Sequence, residues 1–278
     1  MDFMTDFQRI FNLNNQVAIV TGGYGHLGGA MVDALLSFGA KVVVAGLSEE
    51  KFDNRFKNYP DGLVFFKYCD ILDSKTLNSL FADIDKRFGR IDILINNATD
   101  ARGNDPENMN DDDWTYSLEA VLGSVHKAIR EVIPYMKKKN KGKIINISSM
   151  YGVVSPDFKL YEGDSCEKYF NPSHYGAAKA GLIQLSKYYA TYLGKFNIHV
   201  NTITPGPFPS VTIQGENPNF INRLKSKNPL GKIGKPEDLA GICILLSSNA
   251  SDFITGQNFI VDGRSEEHTS ELQSRSDL

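Results

Sequence analysis

The sequence predicts a single α/β domain: a doubly wound parallel β-sheet with helices on both faces. Three observations carry this expectation. Short β-branched runs alternate with longer helical patterns along the chain. The strand runs are continuously apolar rather than alternating, as strands covered on both faces must be. No linker, repeat or low-complexity stretch interrupts the pattern before residue 264.

The expected strands are Val17–Thr21, Lys41–Ala45, Leu63–Tyr68, Ile91–Ile95, Lys143–Ile147, Ile198–Ile203 and Asn258–Val261. Between them, Leu27–Phe38, Ser74–Phe88, Asp112–Lys138, Ser173–Phe196 and Pro236–Ser247 carry helical periodicity or helix-start signals. Pro236-Glu237-Asp238 is a good first turn: proline loses nothing there, and the acids face the positive end of the helix dipole. Two segments break the rhythm. Ser155–Pro172 is long, acidic and aromatic, and Pro205–Pro229 is rich in proline and asparagine. Loops this long are functional or disordered, and both follow the C-terminal ends of strands, where such sheets bind ligands.

Composition narrows the function. The chain has 278 residues, 41% hydrophobic and 23% charged, with a net charge of -3. This is ordinary for a soluble domain with a sizeable core. Lys137-Lys138-Lys139 reads as a solvated helix end, so no nucleic-acid partner is expected. Cys69, Cys166 and Cys243 are odd in number and far apart, which fits neither a disulfide framework nor a metal site. The N-terminus lacks a signal-peptide pattern, and no apolar run is long enough for a membrane span. A reduced, cytoplasmic protein is expected.

We divide the chain into an N-terminal extension (1–12), one catalytic domain (13–263) and a foreign tail (264–278). The run from Arg264 through Ser274 is what a common sequencing-adapter DNA gives when translated in one frame. It is excluded from fold reasoning as a cloning or assembly scar.

Gly23-Tyr24-Gly25-His26-Leu27-Gly28 follows an apolar strand and opens a helix, the context a pyrophosphate-binding turn requires. Thr21 and Gly22 lead into it; Asp70-Ile71 ends the third strand, and Asn97-Ala98 ends the fourth. His26 can touch a phosphate or simply face solvent. The second strand ends in Val44-Ala45-Gly46-Leu47-Ser48, with neither an acid for a ribose 2′-hydroxyl nor an arginine for a 2′-phosphate. Gly46 leaves room there, Lys51 or Arg55 is within sequence reach, and the balance leans to NADP over NAD.

Tyr175 and Lys179 stand four residues apart on one expected helix, hence on one face. The ammonium is expected to lower the phenol's pKa from about 10 toward working pH. With Ser149 upstream, this is a proton-transfer device beside a hydride carrier.

From about residue 13 to 263 the chain resembles the short-chain dehydrogenase/reductase family. The resemblance rests on Thr21–Gly28, Asn96-Asn97-Ala98, Asn146–Ser149, Tyr175-x-x-x-Lys179, Asn201 through Pro205-Gly206, Pro236-Glu237-Asp238, Thr255-Gly256-Gln257 and Val261-Asp262-Gly263. It implies a Rossmann-like sheet, a nicotinamide cofactor, and a homodimer or homotetramer. It also implies that Tyr175 is the general acid/base, that Lys179 lowers its pKa and holds the nicotinamide ribose, and that Ser149 bonds the substrate oxygen. Pro205–Pro229 would be the substrate lid, and Ser210 would bond the carboxamide.

Three departures stand out. The turn has the spacing of the family's extended members. Thr99 replaces a usual glycine. Val121 replaces the asparagine implied to hold the water linking the lysine to solvent. Either Ser117 or Ser124 substitutes, or the relay runs differently, or turnover is slow; an active but slower enzyme is expected.

Met150–Asp157 and the insertion after it resemble oxidoreductases of bacterial surface-glycan and flagellin-sugar biosynthesis. This favours a sugar-like or polyol substrate. The alternatives are a 3-oxoacyl thioester reductase and a weakly active NAD(P)-binding sensor or scaffold.

Overall fold

The computed structural model describes residues 7–103, 105–161 and 171–265. Seven parallel strands form one sheet: β1 (Val17–Thr21), β2 (Lys41–Gly46), β3 (Val64–Tyr68), β4 (Ile93–Asn96), β5 (Gly142–Ile147), β6 (Ile198–Pro205) and β7 (Asn258–Val261). Their order is β3-β2-β1-β4-β5-β6-β7. The order reverses between β1 and β4, where Ile19 pairs with Leu94. That switch point opens a crevice at the strands' C-terminal ends.

The helices are α1 (His26–Ser37), α2 (Glu49–Phe56), α3 (Ser74–Phe88), α4 (Asp111–Leu118), α5 (Ser124–Lys139), α6 (Ser173–Leu193), α7 (Val211–Glu216), α8 (Pro218–Ser226) and α9 (Ala240–Ser247). Alternate strand residues serve opposite faces, as the period of two requires. Val17 and Ile19 join Leu77 and Phe81 of α3, Ile129 of α5 and Leu182 of α6. Ala18 and Val20 join Met31 and Leu35 of α1 and Cys243 and Ile244 of α9. Burying each large side chain is worth roughly 1.5–3 kcal/mol, so the two clusters fix helices to both faces.

A polar chain crosses the first of these layers. Asn96 Nδ2 donates to Asn146 Oδ1 at 2.8 Å, Asn146 Nδ2 to Ser186 Oγ at 2.8 Å, and Ser186 Oγ to the Leu182 carbonyl at 2.8 Å. It links β4, β5 and α6 through buried groups.

Three expectations need correction. The helix expected over 112–138 is two helices, α4 and α5, joined by a π-turn at Glu119–Gly123. The segment Pro205–Pro229 is not a plain loop: it holds α7, capped by the Ser210 hydroxyl, and α8, which starts with Pro218 at its first turn. Helix α2 was not expected; Ser48 caps it by accepting from the Lys51 N–H at 3.2 Å. Helix α8 packs Phe220, Ile221 and Leu224 on Leu160 and Tyr161, so the 205–229 segment and the start of the 155–172 insertion share one small core. Residues 162–170 of that insertion lie outside the described residues, as does 266–278 of the tail.

Candidate active site

The glycine turn is held by its neighbours. Gly22 takes a φ of 63°, the left-handed conformation that glycine adopts without strain. The Asn97 amide donates to the Thr21 and Gly22 carbonyls at 3.0 and 3.2 Å. Thr21 Oγ1 accepts from the Asn97 and Ala98 N–H groups, both at 3.0 Å. Thr21 and Asn97 therefore lock β1 to β4 around the turn. A Cβ on Gly28 would sit 2.4 Å from the Gly22 carbonyl oxygen, so only glycine lets α1 approach. Helix α1 begins after Gly25 with no side-chain cap and no acid in its first turn. Its free N–H groups and dipole suit a pyrophosphate, and the residues present fit a dinucleotide.

A cleft of about 520 Å³ runs from this turn along the strand ends. Gly22, Tyr24, Gly25, His26 and Leu27 line it, with Asp70, Ile71, Asn97, Ala98 and Thr99; Tyr175 and Lys179 close it. Gly23 lies beneath, its Cα facing Val32 and Val44. A second cleft of about 430 Å³ lies on the far side of Tyr175. Ser149, Met150, Tyr151, Tyr161, Gly206, Phe208 and Phe220 are among its walls. Tyr175 thus stands between the two, with Ser149 in the second. Pro205 ends β6, and Gly206 extends the ladder by donating to the Val261 carbonyl at 2.9 Å. Ser210 lines neither cleft; its hydroxyl accepts from the Ile213 N–H at 3.3 Å.

Helix α6 sets Tyr175 and Lys179 against the end of β5. Ser148 Oγ donates to the Lys179 carbonyl at 2.8 Å. The buried Lys179 ammonium donates to the Ile147 carbonyl at 2.8 Å, and its Nζ lies 5.6 Å from the centre of the Tyr175 ring. The expected lowering of the phenol's pKa is not what this geometry gives. Burial pushes Tyr175 up from 10, and the hydrogen bond with Ser149 opposes it. Burial also pulls Lys179 down from 10.5 to about 8.

That lysine shift has a signed consequence. Between about pH 8 and 10.5 the unfolded chain still holds a proton that folded Lys179 has released, so stability rises with pH across that window. Lys179→Met is expected to remove about 3 kcal/mol of that rise. Urea midpoints of both proteins from pH 7.5 to 10.5 check this; parallel curves would refute it.

Val121 is buried in the π-turn, and neither candidate serine stands in for the missing asparagine. Ser117 Oγ accepts from the Arg102 N–H at 2.8 Å and donates to the Arg102 carbonyl at 2.9 Å. Ser124 Oγ donates to the Ala120 carbonyl at 2.7 Å.

Sequence reasoning missed two parts of the site. The first is the contact of Tyr24 with Gly46: the space that glycine leaves is filled by the tyrosine's own ring. The second is the aromatic wall of the second cleft, including Tyr151, whose hydroxyl lies 2.8 Å from that of Tyr161.

These features define a dinucleotide-dependent oxidoreductase fold and site. A family model described as enoyl-(acyl carrier protein) reductase matches residues 25–263. The chain belongs to the short-chain dehydrogenase/reductase family and is an NAD(P)-dependent oxidoreductase. It is 32% identical over 254 residues to 3-oxoacyl-(acyl-carrier-protein) reductase FabG of Chlamydia muridarum, covering 90% of this chain and 97% of that one. Its structure is similar to a short chain dehydrogenase from Leptospira borgpetersenii serovar Hardjo-bovis with bound NAD+ (TM-score 0.81, 28% identity, 95% of each chain). It is also similar to a gluconate 5-dehydrogenase from Burkholderia cenocepacia in complex with NADP and tartrate (TM-score 0.82, 26% identity, 95% of this chain and 99% of that one). Among the described residues no helix is long and apolar enough to cross a membrane.

Proposed function

We propose that the protein interconverts a secondary alcohol and a ketone on a neutral, sugar-like or polyol substrate. The observation that carries this reading is Tyr175 as the common wall of two clefts, sharing the second with Ser149 and backed by Lys179. A nicotinamide cofactor held by the glycine turn and the Asp70, Asn97 and Lys179 side of the first cleft would supply or take up the hydride. In the reducing direction the Tyr175 hydroxyl gives its proton to the oxygen as it becomes an alkoxide, and takes one back on oxidation. Ser149 donates to the same oxygen and holds it in place, and the Lys179 charge favours the phenolate left behind. Val121 leaves this proton path without an asparagine, which slows turnover rather than abolishing it.

The substrate-side cleft supports the substrate class. No charged side chain lines it among the described residues. Its aromatic faces suit the C–H faces of a ring, and the Tyr151 and Tyr161 hydroxyls suit a polyol. The same apolar walls, with the FabG relative, support a second reading, 3-oxoacyl thioester reduction. A panel separates them: a neutral cyclic hydroxyketone, an aldonate and a 3-oxoacyl N-acetylcysteamine thioester, each tested with NADH and NADPH. The hydroxyketone is expected to show the highest kcat/KM. A thioester preferred tenfold or more would replace the first reading with the second.

We also read the protein as a cytoplasmic homodimer or homotetramer. Support for assembly comes from Tyr188 and Tyr192, exposed and stacked 6.5 Å apart on α6. Residues 264–278 are read as non-native, on their match to translated adapter DNA.

A further inference from the structure

We propose that Tyr24 sets the cofactor preference, selecting NAD(H) over NADP(H) by hydrogen-bonding the adenosine ribose and filling the space a 2′-phosphate would need. This rests on the oxidoreductase reading above and assigns a selecting role within it to a residue of the turn.

In dinucleotide-binding sheets the end of the second strand faces the adenosine ribose; an acid there binds the 2′-hydroxyl, or a cation nearby takes a 2′-phosphate. Here β2 ends at Gly46 and supplies neither. The Tyr24 ring lies over it instead: a Cβ on Gly46 would come within 2.6 Å of the phenol oxygen and 2.7 Å of ring Cε1. The phenol oxygen accepts from the Leu47 N–H at 3.1 Å.

Two consequences follow from that bond. The phenol keeps its single hydrogen to donate, and Tyr24, Gly46 and Leu47 all line the cofactor cleft. A ribose hydroxyl is a matching acceptor. Meanwhile the Leu47 N–H, which a phosphate oxygen could otherwise accept from, is already held.

Charge points the same way. The ionisable residues described in the cleft lining are His26, Cys69, Asp70, Asp100 and the tyrosines, with Lys179 beside Tyr175. No lysine or arginine is described at the Tyr24 end. Arg55, which packs against Gly29 of α1, is paired with Asp33, and Asp33 also accepts from the Tyr59 hydroxyl at 2.7 Å. Lys51 does not line the cleft, and the first turn of α2 carries Glu49 and Glu50. A 2′-phosphate would find no countercharge there. The preference is opposite to the lean drawn from an open Gly46.

The test is equilibrium binding of NADH and NADPH, followed by energy transfer from protein fluorescence, with melting curves to confirm folding. The wild-type chain is expected to bind NADH at least tenfold more tightly than NADPH. Tyr24→Phe removes the bond to the ribose and frees the Leu47 N–H, and should weaken NADH about three- to tenfold without weakening NADPH. Tyr24→Ala with Leu47→Arg opens the space, adds a cation and should favour NADPH. Tighter NADPH binding by the wild type overturns the inference but leaves the oxidoreductase reading intact. Equal weakening of both cofactors in Tyr24→Phe overturns it too, since Tyr24 would then only shape the turn. Binding of neither by folded wild-type protein overturns both.

Discussion

Tyr175→Phe is expected to lower turnover about 10²- to 10⁴-fold, the usual contribution of a positioned acid/base, while cofactor affinity stays within about twofold of wild type. The substitution removes one oxygen from a ring that stands between two clefts, so neither cleft should lose its shape. The split between the two readouts is what identifies the role. A phenol that only packed would leave turnover near normal, and one that only shaped the cofactor cleft would change affinity and rate together. Steady-state rates at saturating cofactor, with binding followed through Trp114, the chain's only tryptophan, measure both. Residual turnover above about a tenth would remove Tyr175 from the chemistry.

Gly28→Ala is expected to damage the other half of the site. The added methyl would meet the Gly22 carbonyl oxygen at 2.4 Å, the Asn97 amide nitrogen at 2.7 Å and Gly23 Cα at 3.0 Å. None of these can swing away: two are backbone atoms of the turn, and the third is held by two hydrogen bonds. Forcing them apart should cost about 1–3 kcal/mol of stability. Cofactor affinity should fall about fivefold to a hundredfold if, as proposed, the same atoms shape a pyrophosphate cradle. Gly241→Ala is the matched control. It lies on α9 with nothing within 4 Å of an added Cβ, and should be neutral or slightly stabilising. Urea melts and cofactor titrations of both variants decide the matter; equal effects at the two positions would refute the steric account.

Much of the fold was legible because the strands are buried on both faces. Val17–Thr21 and Asn258–Val261 match their expected limits, and the other five strands lie within two residues at each end. Continuous apolar β-branched runs have little other use in a chain of this charge. The 205–229 segment was harder to read, since its prolines and asparagines suggest a loop. Yet Ser210 caps α7 and Pro218 opens α8, which are start signals that could have been weighed. The π-turn left no comparable mark in the sequence.

The site divides the same way. Residues adjacent in the chain, such as the glycine turn, or four apart on a helix, such as Tyr175 and Lys179, announce themselves by spacing. Contacts made only by folding do not. Tyr24 meets Gly46 from another strand end, and Tyr151 meets Tyr161 across a loop. The pKa of Tyr175 belongs to this second kind: spacing suggests a cation beneath the phenol, but burial, which spacing cannot report, dominates.

The buried run from Asn96 through Asn146 to Ser186 bears on precision more than on strength. Leucines in its place could slide and repack, whereas amides and a hydroxyl satisfy one another in one arrangement only. A helix gripped by apolar contacts alone can rotate a few degrees at small cost. One indexed to the sheet by this relay cannot, so Ser186 acts as a detent for α6. That is why a side chain about three turns away, at Tyr175, can be set beside Ser149 of a different element although α6 has no side-chain cap at its N-terminus.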